Sequence, residues 1–129
     1  MNPIYIFLMM LFLHTLDDFH LQGCLANLKQ KSWWAEHAPD PMYKHDWIPA
    51  LMAHCISWTT LTMLPCILFM SVPVWLAIVL FVFNAAFHFW IDDLKCNRMA
   101  LNLIEDQLMH LSQLTLTFLV CWKIPAMFI

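Results

Sequence analysis

The chain has 129 residues, of which 62% are hydrophobic and 12% are charged, and its mean hydropathy is +0.67. Water-soluble domains do not reach that apolar content. The apolar content and the single glycine together exclude disordered and collagen-like chains. The net charge of −3, without a basic stripe, argues against nucleic acid as a partner. The composition therefore predicts a small integral membrane protein.

Four apolar stretches are each long enough to cross a bilayer as a helix, which takes about 20 residues. The predicted spans cover residues 3–22, 47–70, 73–94 and 102–123. The first part of the first span, residues 3–13, has the length of a signal-peptide core, but no Lys or Arg precedes it and no cleavage pattern follows it, so we expect it to stay in the mature protein. The turn between the second and third spans is so short that these two must run antiparallel. The sequence predicts an all-α, antiparallel four-helix bundle forming one membrane domain, residues 1–129.

The loop of residues 23–46 alternates apolar residues with Lys and Glu and contains the pair Trp33 and Trp34. This pattern predicts a short helix in the headgroup layer with the tryptophans as its anchor; the alternative is an irregular polar loop. Five of the six Lys and Arg residues lie in this loop or between the third and fourth spans, and only Lys123 lies on the other side. The positive-inside rule therefore predicts a cytoplasmic loop and two extracytoplasmic termini.

Ionisable side chains are frequent inside the predicted spans, which hold six of the nine acidic residues. Each such group costs several kcal/mol unless it faces a partner or a water-filled cavity. Three His/Asp pairs are spaced four residues apart and therefore share a helix face. These pairs are His14 with Asp18, His88 with Asp92, and Asp106 with His110. The reversed order of the last pair is what antiparallel packing requires if all histidines are to lie at one depth.

Together with His54 of the second span, these pairs predict one polar site near the cytoplasmic face. The helical rise of about 1.5 Å per residue places four imidazoles in one layer and three carboxylates about 6 Å nearer the cytoplasm. Imidazole and carboxylate groups are ligands of Zn²⁺, which is the ion we expect, and also of the alternatives Fe and Mn²⁺. The number of ligands suits either one ion or two. The predicted metal ligands are His14, Asp18, His54, His88, Asp92, Asp106 and His110.

A structural role is the alternative for this cluster, because polar side chains also join membrane helices by hydrogen bonds. That role is usually filled by Ser, Thr, Asn or Gln, whereas buried carboxylates without a Lys or Arg partner carry a desolvation cost. Among the neighbours, Gln22 and Gln107 either hydrogen-bond a ligand or substrate or cap helix ends. Lys95 either holds an anionic phosphate or carboxylate or anchors its helix at the interface. Ser57 offers a hydroxyl nucleophile, with helix packing as the simpler interpretation.

The order of these motifs resembles a family of small integral membrane proteins of phages and bacteria whose function is not assigned. The matching residues are His14-x3-Asp18-Phe19-x2-Gln22, a single His54, His88-x3-Asp92-x2-Lys95 and Asp106-Gln107-x2-His110. The resemblance covers most of the chain outside residues 23–46 and the C-terminal tail. It implies a location in the bacterial inner membrane and a phage or prophage origin, and no activity. The family has a small residue before its first Asp, so either Asp17 or Asp18 of this chain faces the site, with the other in support.

Three classes of function fit these residues. The first is a membrane-embedded metal-dependent hydrolase of a lipid or phosphate-containing substrate, with catalytic roles for Asp18, Asp92 and Lys95. Membrane zinc hydrolases of the alkaline-ceramidase type are similar in chemistry only, because their H-x3-H pair is missing here. Di-iron oxygen chemistry ranks lower, because the proportion of Asp to His is high for that class.

The second class is a metal-ion or proton pathway, which would need a homo-oligomer because four spans are few for a transporter. The nearly apolar extracytoplasmic half argues against it. The third class is a phage-encoded interaction or inhibitor protein in which the polar or metal cluster is structural.

Overall fold

The computed structural model describes residues 1–124, so the last five residues of the predicted domain lie outside the description. Within these residues the regular structure is entirely helical, which confirms the predicted all-α class. The helices are α1 (Pro3–Leu16), continued by a π-helical turn (Asp17–Leu21), α2 (Leu25–Leu28), α3 (Lys31–His37), α4 (Trp47–Phe69), α5 (Val74–Cys96) and α6 (Leu103–Lys123), with a 3-10 turn at Pro41–Tyr43.

Within residues 1–124, three helical stretches are long and apolar enough to cross a membrane: Pro3–Leu21, Pro41–Phe69 and Val74–Cys96. Helix α6 has 21 residues, which is also sufficient length, but its first two turns carry Glu105, Asp106 and His110. The fourth predicted span therefore stays a prediction.

Local sequence explains where the first and last long helices begin. The Asn2 side chain accepts a hydrogen bond from the Ile4 N–H, and Pro3 occupies the first helical turn of α1, where its missing N–H costs nothing. At α6, Asn102 and Glu105 form a reciprocal capping box, each side chain accepting from the other residue's backbone N–H. Glu105 thus helps to define the start of the helix.

The helices pack so that one end of the molecule is apolar and the other polar. Helix α1 contacts α4 and α6, α4 contacts α5, and α5 contacts α6. The apolar end is a core contributed by all four helices: Ile6, Met10, Met63, Cys66, Leu76, Leu80, Leu114, Phe118 and Cys121. The buried histidines and carboxylates lie in the remaining part of the bundle, towards the end of α5 and the start of α6.

The π-helical turn changes which side chains of the first helix face inward. Consecutive residues of an α-helix point about 100° apart, so only one of two neighbouring side chains normally faces a partner helix. The wider turn closes with a hydrogen bond from the Gln22 N–H to the Asp17 carbonyl, and the Gln22 side-chain amide donates to the Asp18 carbonyl. As a result both Asp17 and Asp18 are buried, with 1% and 7% of their surfaces exposed.

Residues 23–46 form two short helices where one was predicted. The backbone N–H of Lys31 donates to Asn97 Oδ1 at 2.8 Å, and Asn97 Nδ2 donates to the Lys29 carbonyl at 3.2 Å. The Trp34 indole N–H donates to the Leu28 carbonyl at 2.7 Å, which closes α3 over α2. The loop is thereby held against the end of α5, with Lys29 directed towards the polar end of the bundle.

Candidate metal centre

Three histidines from three different helices meet at the centre of the polar region. His54 on α4, His88 on α5 and His110 on α6 each have 0% of their surface exposed. The Nε2 atoms of His54 and His88 lie 3.2 Å apart. Each residue faces inward because it belongs to the buried stripe of its helix, which in α6 also contains Asp106 and Gln113.

Carboxylates surround these imidazoles. Asp92 lies between two of them: its Oδ2 atom is 3.4 Å from His54 Nε2, and its Oδ1 atom is 3.2 Å from His110 Nε2. Asp18 Oδ1 is 3.5 Å from His54 Nε2, and Asp106 Oδ1 is 3.4 Å from His110 Nε2. The side chains from four helical segments thus place three carboxylates within reach of three imidazole nitrogens.

In the part of the chain that the structure describes, two groups of buried donor atoms are compact enough to hold a metal ion. One contains Asp18, His54 and His88, the other contains His88, Asp92 and His110, and the donor atoms in each lie within 4.8 Å of one another. Metal–nitrogen bonds of about 2.0–2.1 Å in a tetrahedral site place neighbouring donors about 3.3 Å apart, close to the distances found here. Imidazole and carboxylate donors fit a first-row divalent ion.

The two groups share His88, and this limits how they can be filled. One imidazole nitrogen binds one ion, so His88 Nε2 serves one group at a time. Asp92 has one oxygen towards His54 and the other towards His110, so its carboxylate is placed to bridge two ions or to complete a single site. Both His110 ring nitrogens and Asp106 Oδ1 lack a hydrogen-bond partner within residues 1–124. Buried polar atoms without partners are costly, and a bound cation would satisfy them.

His14 lies beside these groups, with both of its ring nitrogens hydrogen-bonded. The Trp58 indole N–H donates to His14 Nδ1 at 2.8 Å, so the hydrogen of the neutral ring lies on Nε2 and is donated to Gln107 Oε1 at 3.1 Å. The Gln107 amide then donates to Asp18 Oδ2 and to Asp106 Oδ2, each at 3.2 Å. In this arrangement His14 and Gln107 orient two of the carboxylates.

Asp17 occupies the far side of His54 from the donor groups. Its Oδ2 atom is 3.5 Å from His54 Nδ1, and its Oδ1 atom accepts a hydrogen bond from the Ser57 hydroxyl at 2.7 Å. A carboxylate behind a histidine in this way is the usual partner of a metal-binding imidazole. The sequence left open whether Asp17 or Asp18 faces the site; in the structure Asp18 joins a donor group and Asp17 lies behind His54.

Trp58 forms a wall of the site that sequence reasoning missed. Its ring stacks on the His88 ring with centroids 4.2 Å apart, and only 1% of the residue is exposed. The signal was present in the sequence, because Trp58 follows His54 by four residues and therefore shares its helix face. Its ring limits the positions that His88 can adopt.

A cavity of about 360 Å³ opens beside the cluster. Asp18, Asp92 and Asp106 line it together with Gln22, Lys29 and Lys95. Lys29 Nζ is 2.7 Å from Asp92 Oδ2, and Lys95 Nζ is 3.2 Å from Asp106 Oδ2. Burial alone would lower the pKa of Lys29, but the Asp92 carboxylate outweighs this effect and raises it. Asp93 instead points away and pairs with Arg98 at 2.7 Å.

No protein-family model, curated protein or solved structure matches this chain. The resemblance to the phage and bacterial membrane family stays a prediction.

Proposed function

We propose that this chain is a membrane-embedded, metal-dependent hydrolase of a lipid or phosphate-containing substrate, with its site open to the cytoplasm. The observation that carries the proposal is the position of the buried His/Asp cluster at the floor of a polar cavity, above an apolar core. The cluster can hold a cation, and the cavity gives a substrate access to it.

The proposal includes four crossings, with α6 as the fourth. Helix α6 buries a polar stripe and presents large apolar side chains on its outer surface. These exposed side chains include Ile104, Leu108, Leu111, Leu116 and Leu119. An outer surface of this kind suits lipid, while the charged groups face the bundle interior, as ionisable residues in membrane proteins do. The basic residues of the loops then favour the cytoplasmic half of the membrane for the cavity, and the proposal assigns the chain to a bacterial inner membrane.

A divalent cation supplies Lewis-acid activation of a substrate oxygen and acidifies a coordinated water. The chain supplies the remaining functions. His54, His88, His110 and Asp92 would hold the ion, which leaves Asp18 free to act as a base. Asp18 accepts the proton of the attacking water, because it lines the cavity and, among residues 1–124, has no Lys or Arg partner. Lys95 stabilises negative charge at the opposite wall.

The interior beyond the histidines favours an enzyme over an ion pathway. Asn84 Oδ1 accepts hydrogen bonds from the Gln113 amide and the Thr117 hydroxyl, each at 2.9 Å, so the next layer is polar but carries no charge. Beyond it lies the apolar core, which contains Leu80 and Leu114. A conducted ion would need a continuous row of polar or ionisable groups.

Metal content tests the proposal. Full-length protein purified in detergent without chelator is expected to contain one or two equivalents of zinc, iron or manganese by elemental mass spectrometry. His88→Gln removes the residue common to both donor groups and should lose the metal. His20→Gln replaces an exposed histidine of the π-helical turn and should retain it.

Activity is then measured on the metal-loaded protein as release of phosphate from lipid and soluble phosphate esters. Asp18→Asn should lower turnover by at least about a hundredfold, the contribution expected of a general base. Wild-type protein with no metal above background would refute the proposal, as would hydrolysis that is unchanged in His88→Gln.

A further inference from the structure

The charge of the cavity depends on whether a cation is bound. The ionisable residues that line it are three carboxylates and two lysines, so without a metal they leave one negative charge. One divalent ion reverses this balance to one positive charge, and two ions raise it to three. The metal-loaded cavity therefore attracts an anion, and this step rests on the proposed function.

Lys29 is positioned to meet that anion. A lysine near a membrane interface usually extends its ammonium group into water, yet the Lys29 side chain is only 13% exposed and points into the cavity. Its backbone carbonyl accepts a hydrogen bond from Asn97 Nδ2 at 3.2 Å, so the end of α2 is fixed on α5. Lys95 lines the same cavity from α5. The loop thus adds a second ammonium group to a cavity in which the membrane-spanning helices alone supply only that of Lys95.

The mouth of the cavity is apolar. Phe19, Met99 and Leu103 line it, with exposed fractions of 53%, 75% and 56%. These side chains belong to the π-helical turn, the α5–α6 connection and the start of α6, at the depth predicted for the headgroup layer. The volume of about 360 Å³ accommodates a headgroup rather than a whole lipid. A ligand whose charged group lies inside the cavity and whose hydrocarbon chain extends past the mouth matches both the charged interior and the apolar mouth.

Gln22 adds a free acceptor to the charged part. Its Oε1 atom is buried and has no hydrogen-bond partner among residues 1–124, and the residue lines the cavity. An oxygen in this position accepts a hydrogen bond from a hydroxyl of a headgroup or from a protonated phosphate oxygen.

We propose that the cavity binds the phosphate monoester headgroup of an amphiphilic lipid. Lys29 and Lys95 contact the phosphate oxygens, Gln22 accepts a hydrogen bond from the headgroup, and the acyl chain leaves past Phe19 and Leu103. A monoester carries a charge of about −1.5 to −2 near neutral pH, enough to pair with both lysines, and its singly protonated form can donate a hydrogen bond to Gln22, whereas a phosphodiester carries one charge and has no phosphate hydroxyl.

Lipid binding to the zinc-loaded full chain tests this inference. Affinities for phosphatidic acid and phosphatidylcholine in mixed micelles are measured by native mass spectrometry, with inorganic phosphate as a competitor. We expect phosphatidic acid to bind at least about tenfold more tightly than phosphatidylcholine, and Lys29→Gln to remove most of that difference, as for a hydrogen bond to a charged group.

Two variants control the lysine result. Lys31→Gln replaces the neighbouring lysine that pairs with Asp93 outside the cavity, and its affinity should equal that of wild type. Lys29→Arg keeps the charge and should keep the preference, which separates lost charge from lost folding. Phe19→Ser should weaken binding of phosphatidic acid without changing that of inorganic phosphate.

The zinc content of every sample separates the two proposals. Equal binding of the two lipids, or an unchanged preference in Lys29→Gln, overturns this inference while bound zinc leaves the proposed function intact. If inorganic phosphate competes at the same concentration as phosphatidic acid, the hydrocarbon chain contributes nothing to binding. That result overturns the inference that the ligand is an amphiphilic lipid. Wild-type protein that retains none of zinc, iron and manganese overturns the proposed function and the charge argument with it.

Discussion

Replacing Asp17 with asparagine removes the negative charge behind His54. Asp17 Oδ2 lies 3.5 Å from His54 Nδ1, while His54 Nε2 lies among the donor atoms. A carboxylate there keeps the hydrogen on Nδ1, leaves Nε2 free to bind a cation and makes the imidazole a stronger ligand. We expect Asp17→Asn to weaken zinc binding by about tenfold, or about 1.4 kcal/mol. A tenfold loss of affinity is the lower end of the range for removal of such carboxylate partners. We expect the lower end because the contact between Asp17 and His54 is longer than a normal hydrogen bond.

A competition titration against a zinc-binding dye, in detergent, measures the change. Ser57→Ala removes only the hydroxyl that donates to Asp17 Oδ1 and should have a smaller effect. Asp93→Asn is the matched control, since Asp93 is also buried but pairs with Arg98 outside the site. Zinc affinity that is equal in Asp17→Asn and wild type, in samples with the same helical content by circular dichroism, would refute the reasoning. An equal loss in Asp93→Asn would show that the effect is unspecific.

Two further predictions concern stability. Chelation of the metal should lower the midpoint of thermal unfolding, because an ion present at a hundred times its dissociation constant stabilises the folded state by about 2.7 kcal/mol. An unchanged midpoint in a sample shown to have lost its metal would contradict this prediction. Trp58→Phe keeps an aromatic ring beside His88 but leaves His14 Nδ1 without its donor. The free energy of unfolding in a detergent denaturation series should fall by about 1–3 kcal/mol, and a change below about 0.5 kcal/mol would argue against that hydrogen bond.

The long helices were predicted well because their signal is local. Apolar runs of the necessary length mark α1, α4, α5 and α6, and their predicted limits lie within two residues of those observed when the π-helical turn is counted with α1. The four-residue spacing of His88 and Asp92 placed both on one face, and in the structure both belong to a donor group. The π-helical turn was not predicted, because no sequence pattern distinguishes one extra residue in a helix from a regular turn.

The side-chain contacts depended on the tertiary structure. His14 has the same spacing to Asp18 as His88 has to Asp92, but spacing does not show that Trp58 and Gln107 take both of its nitrogens. Lys29 was counted only as a positive charge of the cytoplasmic loop. Its direction is set by the contact between its own carbonyl and Asn97, 68 residues further along the chain, and no local pattern carries that information.

Helix α6 is polar on its buried side and apolar on its outer side, and this arrangement constrains how the molecule assembles. On its own in a bilayer, this helix would expose its polar stripe to hydrocarbon, at about 2.5–3.5 kcal/mol for a single aspartate near the centre. Its apolar outer residues offset part of that cost, but the stripe finds partners only against α1, α4 and α5. In the proposed four-span arrangement, the last helix should therefore enter the membrane late, by docking onto the helices already inserted, and its insertion would complete the group of His88, Asp92 and His110. Biogenesis and the formation of the metal site would then be the same step.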